Sequence, residues 1–134
     1  MKVGLFFGSF NPVHIGHLII SNYSVTNTDL NQVWFVVSPQ NPVKQSSSLL
    51  NEHHRFHMIQ SAIYGENNLR VSNIEFSLAK PSYTVDSLAY LKEKYPEHEF
   101  SILENVLEAF EHGMATFALF FLQRYLTANN HDSL

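Results

Sequence analysis

His14 and His17 are the two side chains whose types and spacing point most directly to chemistry. They close the stretch Gly8-Ser9-Phe10-Asn11-Pro12-Val13-His14-Ile15-Gly16-His17. On the first turn of a helix, residues three apart share one face, so both imidazoles would meet the same ligand. Each offers a donor to a phosphate oxygen, and a bound anion would raise each pKa toward a charged form near neutral pH. Gly16 keeps the face between them open. Backbone N–H groups in a glycine-containing turn, and the unpaired ones at a helix N-terminus, also favour anions. Gly8 lacks a Cβ, which lets the chain turn sharply and a ligand come close. The stretch therefore reads as a phosphate site.

Such a site needs elements that hold it. Val3-Gly4-Leu5-Phe6-Phe7 is a short apolar, aromatic run, and residues 2–7 read as a buried strand. A helix follows from Ile15 to about Val25, with Leu18, Ile19 and Tyr23 as its apolar stripe. Gln32 to Ser38 contains Val33-Trp34-Phe35-Val36-Val37, the pattern of a strand covered on both faces of a parallel sheet. Strand, helix and strand at this spacing make a βαβ unit. In open sheets of that kind, ligands bind at the carboxyl ends of the strands, which puts the loop from Gly8 beside the loop after Val37. That second loop, Ser38-Pro39-Gln40-Asn41-Pro42-Val43-Lys44, is stiffened by two prolines and carries a lysine within reach of the site.

Further on, Leu49 to about Tyr64 reads as a helix with Phe56, Ile59 and Ile63 on one face, ended by Gly65. Its His53, His54 and His57 read as a solvated face, because no HExxH pattern or nearby third ligand accompanies them. The spacing leaves Arg55 free to face either the site or solvent. Leu69-Arg70-Val71 and Ile74-Glu75-Phe76 are strand candidates. Thr84 reads as the N-cap of a helix to about Tyr95, with Val85, Leu88 and Leu91 buried. Glu99 to Ile102 is the next strand. The expected fold is α/β, a Rossmann-like open parallel sheet with helices on both faces and an incomplete C-terminal end.

Gly-Ser-Phe-Asn-Pro-Val-His-Ile-Gly-His resembles the signature of the HxGH nucleotidylyltransferase superfamily and, within it, of the bacterial nicotinate-mononucleotide adenylyltransferases. Their motif carries Asp where this chain has Asn11. The resemblance implies transfer of AMP from ATP, with Mg²⁺, to nicotinate mononucleotide and release of pyrophosphate. It gives His14, His17 and Lys44 catalytic phosphate contacts, with Gly8, Ser9, Phe10, Asn11 and Gly16 on the ATP phosphates. It also places Tyr83 and Thr84, in a Pro-Ser-Tyr-Thr segment, against the nicotinate ring; a helix N-terminus there suits its carboxylate. No protein-bound metal is implied. Two alternatives remain open: a non-catalytic nucleotide-binding remnant, or an adenylyl- or cytidylyltransferase with another phosphorylated acceptor.

Composition narrows the partners. At 134 residues, the length fits one domain. Eight Lys and Arg against a net charge of −4 argue against a broad nucleic-acid surface, while a small local site for phosphorylated molecules remains compatible. With no cysteine there is neither a disulfide nor a thiolate metal site. No stretch reaches the roughly 18 apolar residues of a membrane span. Met1-Lys2 leads straight into a strand without a signal-peptide pattern, so a cytoplasmic protein is expected.

The resemblance covers residues 1–112, taken as the α/β domain. In the family, the strand matching Glu99 to Ile102 continues into a Gly-x-Asp-Asn stretch and then an aromatic segment with a Trp, and further strands follow. Here the chain reads Leu103-Glu104-Asn105 and onward to His112-Gly113, without that Gly, Asp or Trp. Residues 113–134 form a separate apolar tail containing Phe117, Phe120, Phe121, Leu122 and Tyr125, and the family's Ser/Thr-rich, Arg-containing ATP motif has no counterpart. The abrupt change after His112 suggests a truncated or frame-shifted family member.

Overall fold

The computed structural model describes residues 1–39, 49–79 and 83–103. Their elements run in the order β1 (Lys2–Gly8), α1 (Ile15–Asn27), β2 (Gln32–Val37), α2 (Glu52–Ala62), β3 (Leu69–Ser72), a single 3₁₀ turn (Ile74–Phe76), α3 (Thr84–Lys94) and β4 (Glu99–Leu103). The strands form one parallel sheet of order β3-β2-β1-β4. The expected Rossmann-like class is the one found. Residues 104–134 lie outside the described residues, and with them the tail expected from 113 onward.

Alternation along the strands divides the core in two. Phe6, Val33, Phe35 and Val37 pack with Ile20 of α1 and with Ile59 and Ile63 of α2. Val3, Leu5, Trp34 and Val36 face the other way, onto Ile74 and Leu91 of α3. Val33 to Val37 are all essentially buried, as an unbroken apolar run in a sheet covered on both faces requires. Trp34 packs edge-on against Tyr95 and Phe100 at centroid distances of 5.2 and 5.7 Å. Its indole N–H donates to Gln32 Oε1 at 2.9 Å, so the large ring is buried without an orphaned donor.

Three local expectations fail, each for a physical reason. Ile74-Glu75-Phe76 is a 3₁₀ turn rather than a strand. Glu75 is buried there and accepts a 2.7 Å bond from Ser87 Oγ of α3, so a tertiary contact overrides the strand-like pattern. That bond also explains α3: Ser87 and Leu91 are its buried residues, and Val85 is 75% exposed. The N-cap is Tyr83, with Thr84 inside the helix, and the Tyr83 N–H is satisfied by Asp86 Oδ2 at 3.4 Å. On α1 the buried face is His17, Ile20, Ser21 and Ser24 rather than Leu18, Ile19 and Tyr23. Its serine hydroxyls donate back to carbonyls of their own helix, which hides their polarity from the core.

Gly65 does not end α2, whose C-cap is Ile63, but takes φ +83° in the turn that follows the helix. A Cβ built there meets nothing within 4 Å, so any cost of filling it comes from the backbone alone. Gly65→Ala is expected to lower unfolding free energy by about 1 kcal/mol, and Gly65→Asn by less, since a left-handed conformation penalises a Cβ and asparagine tolerates it best. Urea unfolding of the three proteins measures this; equal stability of glycine and alanine would refute it.

Candidate active site

All three helices begin after a strand's carboxyl end, so their N-termini share one edge of the sheet. In the order 3-2-1-4 the chain reverses direction across the sheet between β1 and β4, and ligands of open α/β sheets bind beside such a reversal. The α1 start, carrying His14 and His17, reaches this edge from one face. The α3 start, carrying Tyr83 and Thr84, reaches it from the other, as the two core clusters show.

The turn after β1 is not made by Gly8. Gly8 is the last residue of β1, in register with Val37, and its carbonyl accepts from the Ser38 N–H at 2.9 Å. Phe10 instead takes the left-handed conformation, at φ +49°. That costs a non-glycine residue about 1–2 kcal/mol. The Phe10 ring is 2% exposed, with its centroid 5.3 Å from those of both Phe6 and Phe35. Burial of a phenylalanine side chain is worth about 1.5–3 kcal/mol, enough to hold the strained backbone.

The histidines cap α1 reciprocally. The His14 N–H donates to His17 Nδ1 at 3.1 Å, and the Gly16 N–H donates to His14 Nδ1 at 3.2 Å. Their rings lie 3.9 Å apart between centroids. A ring nitrogen that accepts a hydrogen bond carries no hydrogen, so each neutral ring has its proton on Nε2. The result is two preset Nε2–H donors on adjacent rings. His17 is 6% exposed and packs against the edges of Phe10 and Phe6. Burial in this aromatic setting, with His14 adding a smaller effect, lowers its pKa to about 4. Without a ligand His17 is therefore neutral at pH 7, so the charged form expected beside a bound anion would have to overcome this burial.

Arg55, undecided by sequence, faces inward and is fully buried. Its Nε donates to the Leu50 carbonyl at 2.8 Å; its Nη1 donates to the carbonyls of Ser38, at 2.8 Å, and Ser9. Nη2 is buried and finds no partner among the described residues. Burial lowers the Arg55 pKa from its ordinary value, opposed by Glu52. Asn11 Oδ1 accepts from the Leu50 N–H at 2.9 Å, so the residue in the motif's aspartate position ties the β1 loop to the start of α2. Gly16 lies in the first turn of α1. Tyr83 and Thr84 are exposed at the start of α3. Lys44 lies outside the described residues. His53, His54 and His57 are exposed on α2; His54 and His57 line an open apolar groove with Val13, Leu50 and Met58. Arg55 is the residue that sequence reasoning left unassigned. The one available signal was a charged residue within the helical turn leading to Ile59.

Against known proteins, the model of the cytidylyltransferase-like family matches residues 5–118. The chain belongs to that family. A protein of Cytophaga hutchinsonii named "Probable nicotinate-nucleotide adenylyltransferase" is 59% identical over 103 residues, covering 77% of this chain and 54% of that one. A protein of the same name from Flavobacterium psychrophilum is 50% identical over 103 residues, covering 77% of this chain and 53% of its own length. The chain thus spans about half the length of the curated relatives it matches. Among solved structures, Plasmodium falciparum nicotinic acid mononucleotide adenylyltransferase complexed with NaAD aligns with a TM-score of 0.64 at 22% identity, over 75% of this chain and 50% of that one. That likeness shows the fold. Among the described residues, no helix is long and apolar enough to cross a membrane.

Family membership leaves the state of His17 to be read from the geometry, and it has a consequence in solution. The unfolded imidazole takes a proton near pH 6.5, whereas the folded one resists until about 4. Between those values the unfolded chain binds more protons, so stability is full above pH 6.5 and falls as pH drops toward 4, by up to about 3 kcal/mol. In His17→Asn, whose Oδ1 still accepts from the His14 N–H, that component is absent. Urea unfolding from pH 7 to 4 is expected to give a flatter curve for the variant; parallel curves would refute the assignment.

Proposed function

We propose that the chain transfers AMP from ATP to nicotinate mononucleotide, forming deamido-NAD and releasing pyrophosphate. The observation that carries this reading is the pair of preset Nε2–H donors at the start of α1, on the carboxyl edge of the sheet. The names of the relatives and the NaAD bound to the Plasmodium enzyme support the choice of substrates.

In the reaction, a phosphate oxygen of the mononucleotide attacks the α-phosphorus of ATP. The bond from that phosphorus to the bridging α,β-oxygen breaks, and pyrophosphate leaves with the electron pair. The nucleophile is already anionic, so no protein base is required. The protein's part is to align the reactants and meet charge where it grows. His17 is assigned to the transferred α-phosphate, His14 to the neighbouring phosphates, and Lys44 and the backbone of Gly8, Ser9 and Phe10 to the rest of the triphosphate. Gly16 leaves room beside the rings, and Asn11 holds the loop. The Thr84 N–H, in the first turn of α3, would receive the nicotinate carboxylate, with Tyr83 beside it against the ring. Among the described residues no three His, Asp or Glu side chains converge as a metal cage. Mg²⁺ is read as part of the MgATP substrate, coordinated by phosphate oxygens and water. A cytoplasmic location and small-molecule partners alone, without nucleic acid or membrane, belong to the same reading.

The test is pyrophosphate release by the full chain with MgATP and nicotinate mononucleotide. His17→Asn keeps the cap acceptor and removes the Nε2–H donor, so turnover is expected to fall by roughly 10²-fold or more, the usual effect of losing one transition-state donor. Undiminished release by the variant would overturn the role of His17. No release by the parent chain, with a melting temperature still raised by the mononucleotide, would mean a binding site without catalysis.

A further inference from the structure

The buried guanidinium of Arg55 does more than fill the core. Its Nη1 bridges the carbonyls of Ser9 and Ser38, which lie just past the carboxyl ends of β1 and β2, and its Nε holds Leu50 ahead of α2. One rigid fork thus sets the spacing of three chain segments around the candidate site. Its grip on Ser9 has a directional effect. A trans peptide is planar, with its C=O and N–H on opposite sides. The Ser9 carbonyl shares a peptide with the Phe10 N–H, so turning that carbonyl toward Arg55 turns the Phe10 N–H away from it. The left-handed φ of Phe10 and its buried ring fix the same peptide from the other end. The peptide between Ser38 and Pro39 has no N–H, so of the two carbonyls bridged by Nη1 only that of Ser9 is paired with a donor to aim.

The geometry points to Arg55 as a positioning residue: by holding the Ser9 carbonyl it aims the Phe10 N–H at the phosphates of the nucleotide. This inference rests on the function proposed above and deepens it, because it names a residue outside the HxGH stretch that prepares the phosphate loop. Arg55 does not itself touch substrate in this scheme. Its positive charge, three of five N–H groups engaged, lies behind the loop and favours an anion in front of it.

The experiment is amide NMR of the full chain labelled with ¹⁵N-phenylalanine, titrated with MgATP, for the parent protein and Arg55→Lys. Lysine keeps the charge but lacks the planar fork that spans several carbonyls. In the parent, the Phe10 amide is expected to show the largest shift among the phenylalanines. In the folded lysine variant that shift should be lost and MgATP affinity should fall at least tenfold. A folded variant with an unchanged Phe10 response and affinity within twofold of the parent would overturn the inference, whatever its melting temperature, since a purely structural Arg55 moves only the latter. Should the lysine variant not fold, the parent titration still decides: a Phe10 amide that stays in place at saturating MgATP rules the inference out, and one that moves most supports it. Failure of the parent to bind MgATP would instead remove the proposed function, and this inference with it.

Discussion

Backbone hydrogen-bonding groups just past the carboxyl end of β1 have a layer of phenylalanine on their inner side, and the rest of the site follows from how they find partners beside it. The rings of Phe6, Phe10 and Phe35 pack on one another beneath the loop. A lone buried donor or acceptor there would cost about 1–3 kcal/mol. Aromatic carbon offers no partner on that side, so side chains serve instead. Arg55 takes the carbonyls of Ser9 and Ser38 and His17 takes the His14 N–H, while at the surface Asn11 takes the Leu50 N–H. Each solves a local polar problem, and together they leave the imidazoles and loop amides in fixed directions.

The same constraint explains why α1 buries a face that its hydrophobic residues do not mark. His17 must point inward to reach the His14 N–H and pack on Phe10. Residues at helical spacing from it, Ile20, Ser21 and Ser24, then follow it inward. Ser21 and Ser24 are small and bond to their own helix, so the layer stays thin enough for α1 to approach the sheet. Leu18 packs at the margin of that core, and Ile19 and Tyr23 are half-buried. The position of one capping side chain, His17, therefore decides the helix's rotation.

Much of this was legible beforehand. The unbroken apolar run from Val33 to Val37, the Phe56-Ile59-Ile63 stripe and the Gly8 to His17 stretch each depend on residues close in sequence, where composition and spacing carry the information. What escaped depends on distant partners. Arg55 was ambiguous because its three acceptors lie in separate segments, the Ser9 carbonyl being 46 residues away. The turn at Glu75 needed Ser87 of α3 to reveal it. Phe10 rather than Gly8 carries the left-handed backbone because tertiary burial outweighs local preference. The neutrality of His17 could not be read from spacing, which shows that two imidazoles meet but not that one is sealed from water.

Neutral donors suit a site of this kind better than buried cations would. An imidazolium at His17 would carry the desolvation cost of a charge among phenylalanines, and it would bind ground-state and transition-state phosphates alike through long-range attraction. A preset Nε2–H is cheap to bury once its opposite nitrogen is satisfied. In the proposed reaction its hydrogen bond would strengthen as negative charge grows on the phosphate oxygen, which weights its contribution toward the transition state. The one fully buried cation among the described residues, Arg55, is placed behind the loop and neutralised in part by carbonyl dipoles. With Arg55 behind the loop and the neutral His17 donor in front of it, the proposed anion site on a chain of net charge −4 does not depend on a basic surface.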